Sequence, residues 1–266
     1  MKPVQLEHRI DFMGLISVSG ADPNGDPRHA GIPRTDSDGC GVISPVCIKR
    51  KLRDRLSEMG EDILISPPEF NGDTLAKRAS EIAPGGDYAA RACRKWYDVR
   101  AFGQVFAFPG VRCPGVRGAV TVQAAYSVSP VEIVSMGITR CINSAGDSRS
   151  GSVGTLHMVK YGLYVLKGSV NAFAAEKTGF TKEDAEKLKT ALLHIFDNDC
   201  SASRPAGSME MKRLYWWENN SKSGDVSTAK VFDSVSVIPG VSKPSCFADY
   251  IVTHSPIAGM QPEIFE

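Results

Sequence analysis

The order of the secondary-structure elements is set first by residues 10–56, IDFMGLISVSGADPNGDPRHAGIPRTDSDGCGVISPVCIKRKLRDRL. The beginning of this stretch, residues 10–18, is apolar and β-branched in character, and it predicts a strand. Residues 20–41 are dense in glycine, proline, aspartate and asparagine, and they predict a long polar loop. Ser44 then supplies an N-cap, and the proline after it a first turn, for a helix that reaches about Met59. A strand, a loop and a helix therefore follow one another directly.

The rest of the chain extends this order into an α+β fold. Its pattern predicts a short helix over residues 88–96 and strands over residues 99–108, 116–128, 132–142, 157–172, 214–217 and 231–238. Thr181 and Asp184 form a capping-box pattern that begins a second long helix. The order strand, helix, strand, strand, helix, strand is typical of the ferredoxin-like layout, in which two helices cover one face of a sheet. With 266 residues, the chain predicts a single domain over residues 1–266.

Composition removes several classes of function. The 31 Lys and Arg residues nearly balance the 30 Asp and Glu residues, so a nucleic-acid surface has to be a local concentration of cations. The seven cysteines contain no C-x-x-C pair, and the five histidines have no metal-ligand spacing, so we expect reduced thiols and no cofactor. The N-terminus lacks the apolar core of a signal peptide, and no run suits a membrane span. A cytoplasmic protein without a membrane partner is expected.

The first helix carries the clearest local concentration of cations. Beside its apolar stripe we expect an arc of three basic side chains: Lys49, Arg50 and Arg53. Such an arc suits phosphates, although a merely solvated basic helix face fits the pattern equally well. A second basic group is interleaved with two aromatic residues and consists of Arg91, Arg94, Lys95 and Arg100. The aromatic residues, Trp96 and Tyr97, are expected to anchor the core rather than to stack on bases.

The acidic loop gives a competing hypothesis. The carboxylates of Asp22, Asp26, Asp36 and Asp38 would together hold one hard metal ion in a nuclease. The calcium-loop pattern fails, because Pro27 stands where glycine is required and Pro33 where glutamate is required. Aspartate is also the commonest loop residue, so a role in turns is favoured.

Several motifs resemble one known family. Residues 22–56 closely resemble the N-terminal hallmark of the CRISPR-associated Cascade backbone subunit of type I-C systems, the Csd-two type in the Cas-seven superfamily. DVRAFGQVFAF (98–108), GVRGAVTVQAAYSVSPVEI (115–133), KYGLY (160–164) and EKTGFTKEDAEKLKTALLHIFDNDCSASR (176–204) match in the family's order. The resemblance spans most of the chain, and an acidic loop followed by a basic helix is not a generic motif.

The resemblance implies both a fold and a function. It implies an RNA-recognition-like palm with an inserted β-hairpin thumb at residues 133–160 and further loop insertions. Several copies would assemble in a helical filament along one CRISPR RNA (crRNA), hold its backbone and display its bases for pairing with target DNA. The other partners would be further Cascade subunits, namely a handle-binding and processing subunit and a large subunit. The resemblance implies no catalysis by this chain.

The implied RNA contacts fall in three places. On the helix, Lys49, Arg50 and Arg53 would bind guide phosphates. The loop from Asn24 to Arg34 would lie near the RNA strand or the next subunit. On the thumb, the implied residues are Met136 and Ile138 as wedges between bases, and Arg140, His157 and Lys160 as polar contacts.

Two alternatives stay open from sequence. The first is a metal-dependent ribonuclease of a related type III-like effector that uses the loop aspartates. The second is a ferredoxin-like protein-interaction module that binds no RNA, because the fold class alone does not choose a function.

Overall fold

The structure is a computed structural model that describes residues 4–67, 74–83, 86–107, 113, 115–139 and 153–266. The strands are β1 (Ile10–Ala21), β2 (Gly25–Asp26), β3 (Ile32–Pro33), β4 (Cys40–Ile43), β5 (Val120–Val122), β6 (Ala125–Pro130), β7 (Ile133–Thr139), β8 (Val153–Val170), β9 (Met209–Glu218), β10 (Val235–Pro239), β11 (Tyr250–His254) and β12 (Glu263–Phe265). The α-helices are α1 (Pro45–Glu58), α2 (Leu75–Ala79), α3 (Tyr88–Lys95), α4 (Tyr97–Phe102), α5 (Ala172–Thr178), α6 (Lys182–Leu193) and α7 (Thr228–Asp233). Short 3₁₀ helices cover Pro27–His29 and Phe247–Asp249.

One large antiparallel sheet organises these elements. Its strands lie in the order β12-β9-β1-β8-β6-β4, and β5 and β7 pair with β8 outside this path. The long central strand β1 pairs with β8 on one side and β9 on the other. Helix α1 follows β1 in the chain, and α6 lies between β8 and β9. The predicted α+β class is therefore confirmed.

Both faces of the sheet are covered, because β1 is apolar on both. Phe12 and Ile16 lie in the main core with the apolar faces of α1 and α6. Met13 and Leu15 point to the opposite face, where residues of α7, β10 and β11 pack over them. The prediction that two helices cover one face of the sheet is therefore incomplete, because the other face is covered as well. The apolar residues of the second face require their own cover, and the C-terminal region supplies it.

Capping residues predicted from sequence begin both long helices. The Ser44 hydroxyl accepts a hydrogen bond from the Cys47 backbone N–H at 3.2 Å, which satisfies a free donor of the first turn of α1. Thr181 and Asp184 form the reciprocal capping box at the start of α6. The predicted starts of both helices are confirmed.

The first residues of two predicted strands, 99–102 of 99–108 and 231–233 of 231–238, are helical. Residues 97–102 form α4, which ends at Gly103 with a φ of 79°. Residues 228–233 form α7 before the true strand β10 begins. In the first case only Val99 is β-branched, and Val99 and the wholly buried Trp96 belong to a separate apolar cluster built from residues 64–106. Trp96 and Tyr97 are core anchors, as expected. No helix in the described residues is long and apolar enough to cross a membrane.

Candidate nucleic-acid interface

Helix α1 does not present its three predicted cations equally. Its apolar side is buried as expected, and Arg53 is largely buried as well. The Arg53 Nε donates to Asp98 Oδ2 at 2.8 Å, and the two side chains are only 10% and 1% exposed. The expectation of an open, solvated arc is therefore wrong for Arg53, because tertiary packing places a carboxylate from α4 against it. Its contact with a phosphate stays a prediction.

Lys49 and Arg53 lie one helical turn apart and share an aromatic neighbour. The Lys49 Nζ lies 5.4 Å from the centre of the Phe102 ring, and the Arg53 guanidinium carbon lies 5.2 Å from it. Burial, and then the positive charge of Arg53, lower the pKa of Lys49. Within the described part of the chain, no carboxylate lies within ion-pair distance of the Lys49 ammonium. Lys49 is therefore a half-buried cation without a carboxylate partner, next to the buried Arg53–Asp98 ion pair.

Arg50 is held differently. Its Nε donates to Asp54 Oδ2 at 3.0 Å, and its Nη1 donates to the Ile65 carbonyl oxygen at 3.1 Å. The side chain keeps 33% of its surface exposed. Asp54 offsets part of the Arg50 charge, so an incoming phosphate would compete with this carboxylate.

The loop before α1 uses its polar side chains to build itself. Asn24 Oδ1 accepts from the Ser44 backbone N–H at 2.9 Å, and the Asn24 N–H donates to Asp22 Oδ1 at 3.0 Å. Arg34 forms an ion pair with Asp26 at 3.3 Å. These contacts fix the loop against the start of α1. Asn24 and Arg34 thus have structural partners, and their RNA contacts stay predictions.

The loop aspartates act in turns, as favoured from sequence. Asp26 accepts from the Arg28 backbone N–H at 3.0 Å, and Asp36 accepts from the backbone N–H groups of Asp38 and Cys40 at 3.0 and 2.9 Å. Among the residues that the structure describes, no three His, Cys, Asp or Glu side chains are grouped to hold a metal ion. The carboxylates of Asp22, Asp26 and Asp36 are therefore engaged in local backbone geometry.

A β-hairpin is present where the thumb is predicted. Strand β7 pairs with the first part of β8, with Ile133 opposite Val159 and Thr139 opposite Val153. Met136 and Ile138 lie on one face and are 44% and 51% exposed. Their cross-strand partners are Leu156 and Gly154. The hairpin therefore presents apolar side chains to solvent, which is uncommon for a strand pair without a partner surface.

The predicted polar residues of the hairpin lie nearer its base. The His157 Nδ1 is 2.7 Å from the Ser135 hydroxyl oxygen across the strands. Lys160 pairs with Glu132 at 3.1 Å, and both side chains are more than 60% exposed, at 64% and 62%. Arg140 lies outside the described residues. An exposed pair such as Lys160 with Glu132 is weak, so Lys160 is free to exchange partners.

The loop and the base of the hairpin are neighbours. Strand β3 of the loop contacts β8. Burial raises the pKa of Asp22, against the opposing effects of the Asn24 N–H and of the charges of Arg204, Lys51 and His157. Helix α1, the loop and the hairpin base form one contiguous polar region.

The second basic group is mainly structural. Arg100 forms a bidentate pair with Asp184, with Nη2 to Oδ1 at 2.8 Å and Nε to Oδ2 at 3.0 Å, and also pairs with Glu61 at 3.1 Å. Lys95 pairs with Glu81. The Arg100–Asp184 pair connects α4 to α6, and the pairs with Glu61 and Glu81 lie within residues 61–100, so Arg100 and Lys95 are engaged in structural contacts, whereas Arg94 is exposed.

Phe102 was not predicted as part of the site. Because residues 99–108 looked like a strand, nothing placed this ring beside α1. The available signal was Gly103, since a glycine directly after an apolar segment is the usual stop of a helix. A helix ending at residue 102 would have suggested that the chain turns there.

Comparison with known proteins gives first the fold and then the family. A solved chain described as "CRISPR RNA-guided surveillance complex, pre-nicking" shares the fold with a TM-score of 0.54 and 14% identity, covering 84% of this chain and 81% of that chain. The family model described as "CRISPR-associated protein Cas7" matches residues 8–255. The "CRISPR-associated protein Cas7" of Haloferax volcanii is 26% identical over 237 residues, which cover 78% of this chain and 69% of the relative. The chain belongs to the CRISPR-associated Cas7 family.

Proposed function

We propose that this chain is a non-catalytic backbone subunit of a type I-C CRISPR Cascade surveillance complex. Several copies assemble along one crRNA, hold its sugar-phosphate backbone and leave its bases free to pair with target DNA. One observation carries the proposal: Lys49 and Arg53 converge on one ring, and the Lys49 ammonium has no carboxylate partner in the described chain. The Lys49 ammonium, beside an Arg53 guanidinium of which only Nε is bound by Asp98, is suited to phosphate.

The architecture supports a division of roles within the chain. The order β9-β1-β8-β6, with a helix after β1 and another after β8, supports an RNA-recognition-like palm. The hairpin of β7 and β8 would be the thumb, with the exposed Met136 and Ile138 as wedges between bases. Residues 1–266 would form one domain, the palm with its insertions.

The proposed partners follow from this role. They are crRNA, target DNA through the guide, further copies of this chain, a handle-binding and processing subunit and a large subunit. Cytoplasmic assembly is part of the proposal. Base pairing with the crRNA would recognise the target sequence, and the protein would bind the sugar-phosphate backbone of the crRNA. Binding is therefore expected to depend strongly on salt.

The test measures binding of a crRNA that contains its repeat-derived handle, together with particle size, at two salt concentrations. The variant is Lys49→Ala with Arg50→Ala, and Arg53 is kept because its loss would leave Asp98 buried without its cation. The matched control is Lys230→Ala with Lys182→Ala, which removes the same charge from exposed positions outside the interface. Wild type and control should form salt-sensitive particles of several copies.

We expect the α1 variant to bind about tenfold more weakly, with a smaller salt slope, since each lost phosphate contact removes about 0.7 from the slope for a single strand. Equal crRNA binding by the α1 variant and the control variant would refute the proposed contact between α1 and the guide phosphates. Failure of wild type to bind crRNA would support the protein-interaction module instead.

A second arm addresses the ribonuclease alternative. Protein and guide are incubated with complementary RNA and Mg²⁺, and the target RNA should remain intact. Cleavage that disappears in Asp22→Ala would replace the proposal with a metal-dependent nuclease.

A further inference from the structure

Phe102 contacts both cations of the α1 pair. It is the last residue of α4, half-buried at the edge of the main core, and its ring lies 5.4 Å from the Lys49 ammonium and 5.2 Å from the Arg53 guanidinium. Both distances are within the range of a cation–π interaction. One ring therefore restrains two charged side chains that come from a different helix.

The two cations need such a restraint. They carry like charges one turn apart on α1, which is unfavourable for the free helix. Asp98 takes only the Nε of Arg53 and shares its carboxylate with the backbone N–H groups of Leu64 and Ile65, at 2.7 and 3.1 Å. In the described chain, the terminal nitrogens of Arg53 have no hydrogen-bond partner. The face of the Phe102 ring is thus the group that attracts the positive charges at the ends of both side chains.

We propose that Phe102 is a positioning residue for RNA-backbone binding, whose ring holds Lys49 and Arg53 together so that both act on one phosphate. This inference rests on the proposed function. A long basic side chain that is already held against a ring loses less rotamer freedom when it binds a phosphate. Part of its entropy loss therefore occurs on folding, before RNA binds. A phosphate between the two ends would also relieve their mutual repulsion.

The test compares two single variants, Phe102→Leu and Phe102→Tyr, and repeats Phe102→Leu in a protein that also carries Lys49→Ala. Leucine keeps an apolar side chain but removes the ring face, whereas tyrosine keeps the face and serves as the conservative rescue. The matched control is Phe173→Leu, because Phe173 is 50% exposed and lies 6.0 Å from Lys222, which is paired with Glu176 away from α1. Affinity for single-stranded RNA is measured across a salt series, and thermal unfolding reports folding.

We expect Phe102→Leu to weaken RNA binding by about threefold to tenfold, with Phe102→Tyr and Phe173→Leu close to wild type. In the Lys49→Ala background, the effect of Phe102→Leu should become clearly smaller, because the ring then acts through Arg53 alone. A purely structural role would give the same loss in both backgrounds.

The outcomes separate the two proposals. If wild type binds RNA but Phe102→Leu binds equally well, or its effect is fully additive with Lys49→Ala, the positioning role is refuted and the proposed function stands. If wild type shows no salt-dependent RNA binding, the proposed function fails and this inference fails with it.

Discussion

The Nε of Arg53 donates to Oδ2 of Asp98 at 2.8 Å, and this buried ion pair joins α1 to α4. Asp98 also accepts the backbone N–H groups of Leu64 and Ile65. One carboxylate therefore ties together the basic helix, the segment after it and the short helix that carries Phe102. The position of the proposed phosphate-binding pair depends on this single group.

Removal of the Asp98 carboxylate should destabilise the fold. We expect Asp98→Ala to lower the free energy of unfolding by about 3–5 kcal/mol, because it leaves Arg53 buried without its partner. The measurement is urea unfolding of wild type and variant. Glu132→Ala is the control, since it removes the exposed partner of Lys160 and should cost at most about 1 kcal/mol. Equal losses in the two variants would show that the buried pair contributes little.

Gly103 should tolerate no side chain. Its φ of 79° and ψ of 167° lie in a region that is open almost only to glycine, and a Cβ there would lie 2.5 Å from the Val116 carbonyl oxygen. Gly179 has a similar φ of 75° but a ψ of 21° and open space around it. We expect Gly179→Ala to cost about 1 kcal/mol and Gly103→Ala at least about 2 kcal/mol more.

Thermal or urea unfolding of the two glycine variants provides the comparison. The two positions share a positive φ, so their difference reports the ψ of Gly103 together with the close approach of the backbone at residues 103 and 116. A cost for Gly103→Ala no larger than that for Gly179→Ala would mean that this approach relaxes easily.

The exposed apolar face of the hairpin should matter for RNA binding and not for folding. Met136→Ser with Ile138→Ser should leave the unfolding temperature almost unchanged, because both side chains are about half exposed. Binding of crRNA should weaken by about tenfold, as the apolar surface covered by bases is lost. Ile251→Ser is the control, since Ile251 is equally exposed at 51% on β11. Wild-type affinity of the hairpin variant would remove the wedge role.

Asp22 and Asp26 should give opposite responses to pH. Burial raises the pKa of Asp22 above its ordinary 3.8, so the folded state binds more protons than the unfolded state just above that value. Stability should therefore fall as pH rises through this window, and Asp22→Asn should remove that loss. A hydrogen bond with His29 lowers the pKa of Asp26, so its contribution to stability is present above pH 3.8 and is lost as pH falls.

Unfolding temperatures of wild type, Asp22→Asn and Asp26→Asn, measured from about pH 3 to about pH 7, test these signs. Relative to wild type, Asp22→Asn should gain and Asp26→Asn should lose as pH rises. The same slope for both variants would contradict the opposite directions of the two pKa shifts.

Elements whose signals are local could be predicted from the amino-acid sequence alone. The apolar run of β1, the Ser44 cap of α1 and the Thr181–Asp184 capping box each act within a few residues, so they could be predicted before any tertiary contact was known. The order of these elements gave the α+β class, and the motifs gave the family. The basic residues of α1 were also found this way.

Only the tertiary structure decided which of those basic residues remain available. Arg53 meets a carboxylate 45 positions further along the chain, and Lys49 meets a ring from the same short helix. Periodicity within α1 cannot report such partners, because long-range packing selects them. Residues 97–102 are a helix although a strand was predicted from residue 99: only Val99 is β-branched, and its place in a separate apolar cluster depends on residues far away in the sequence.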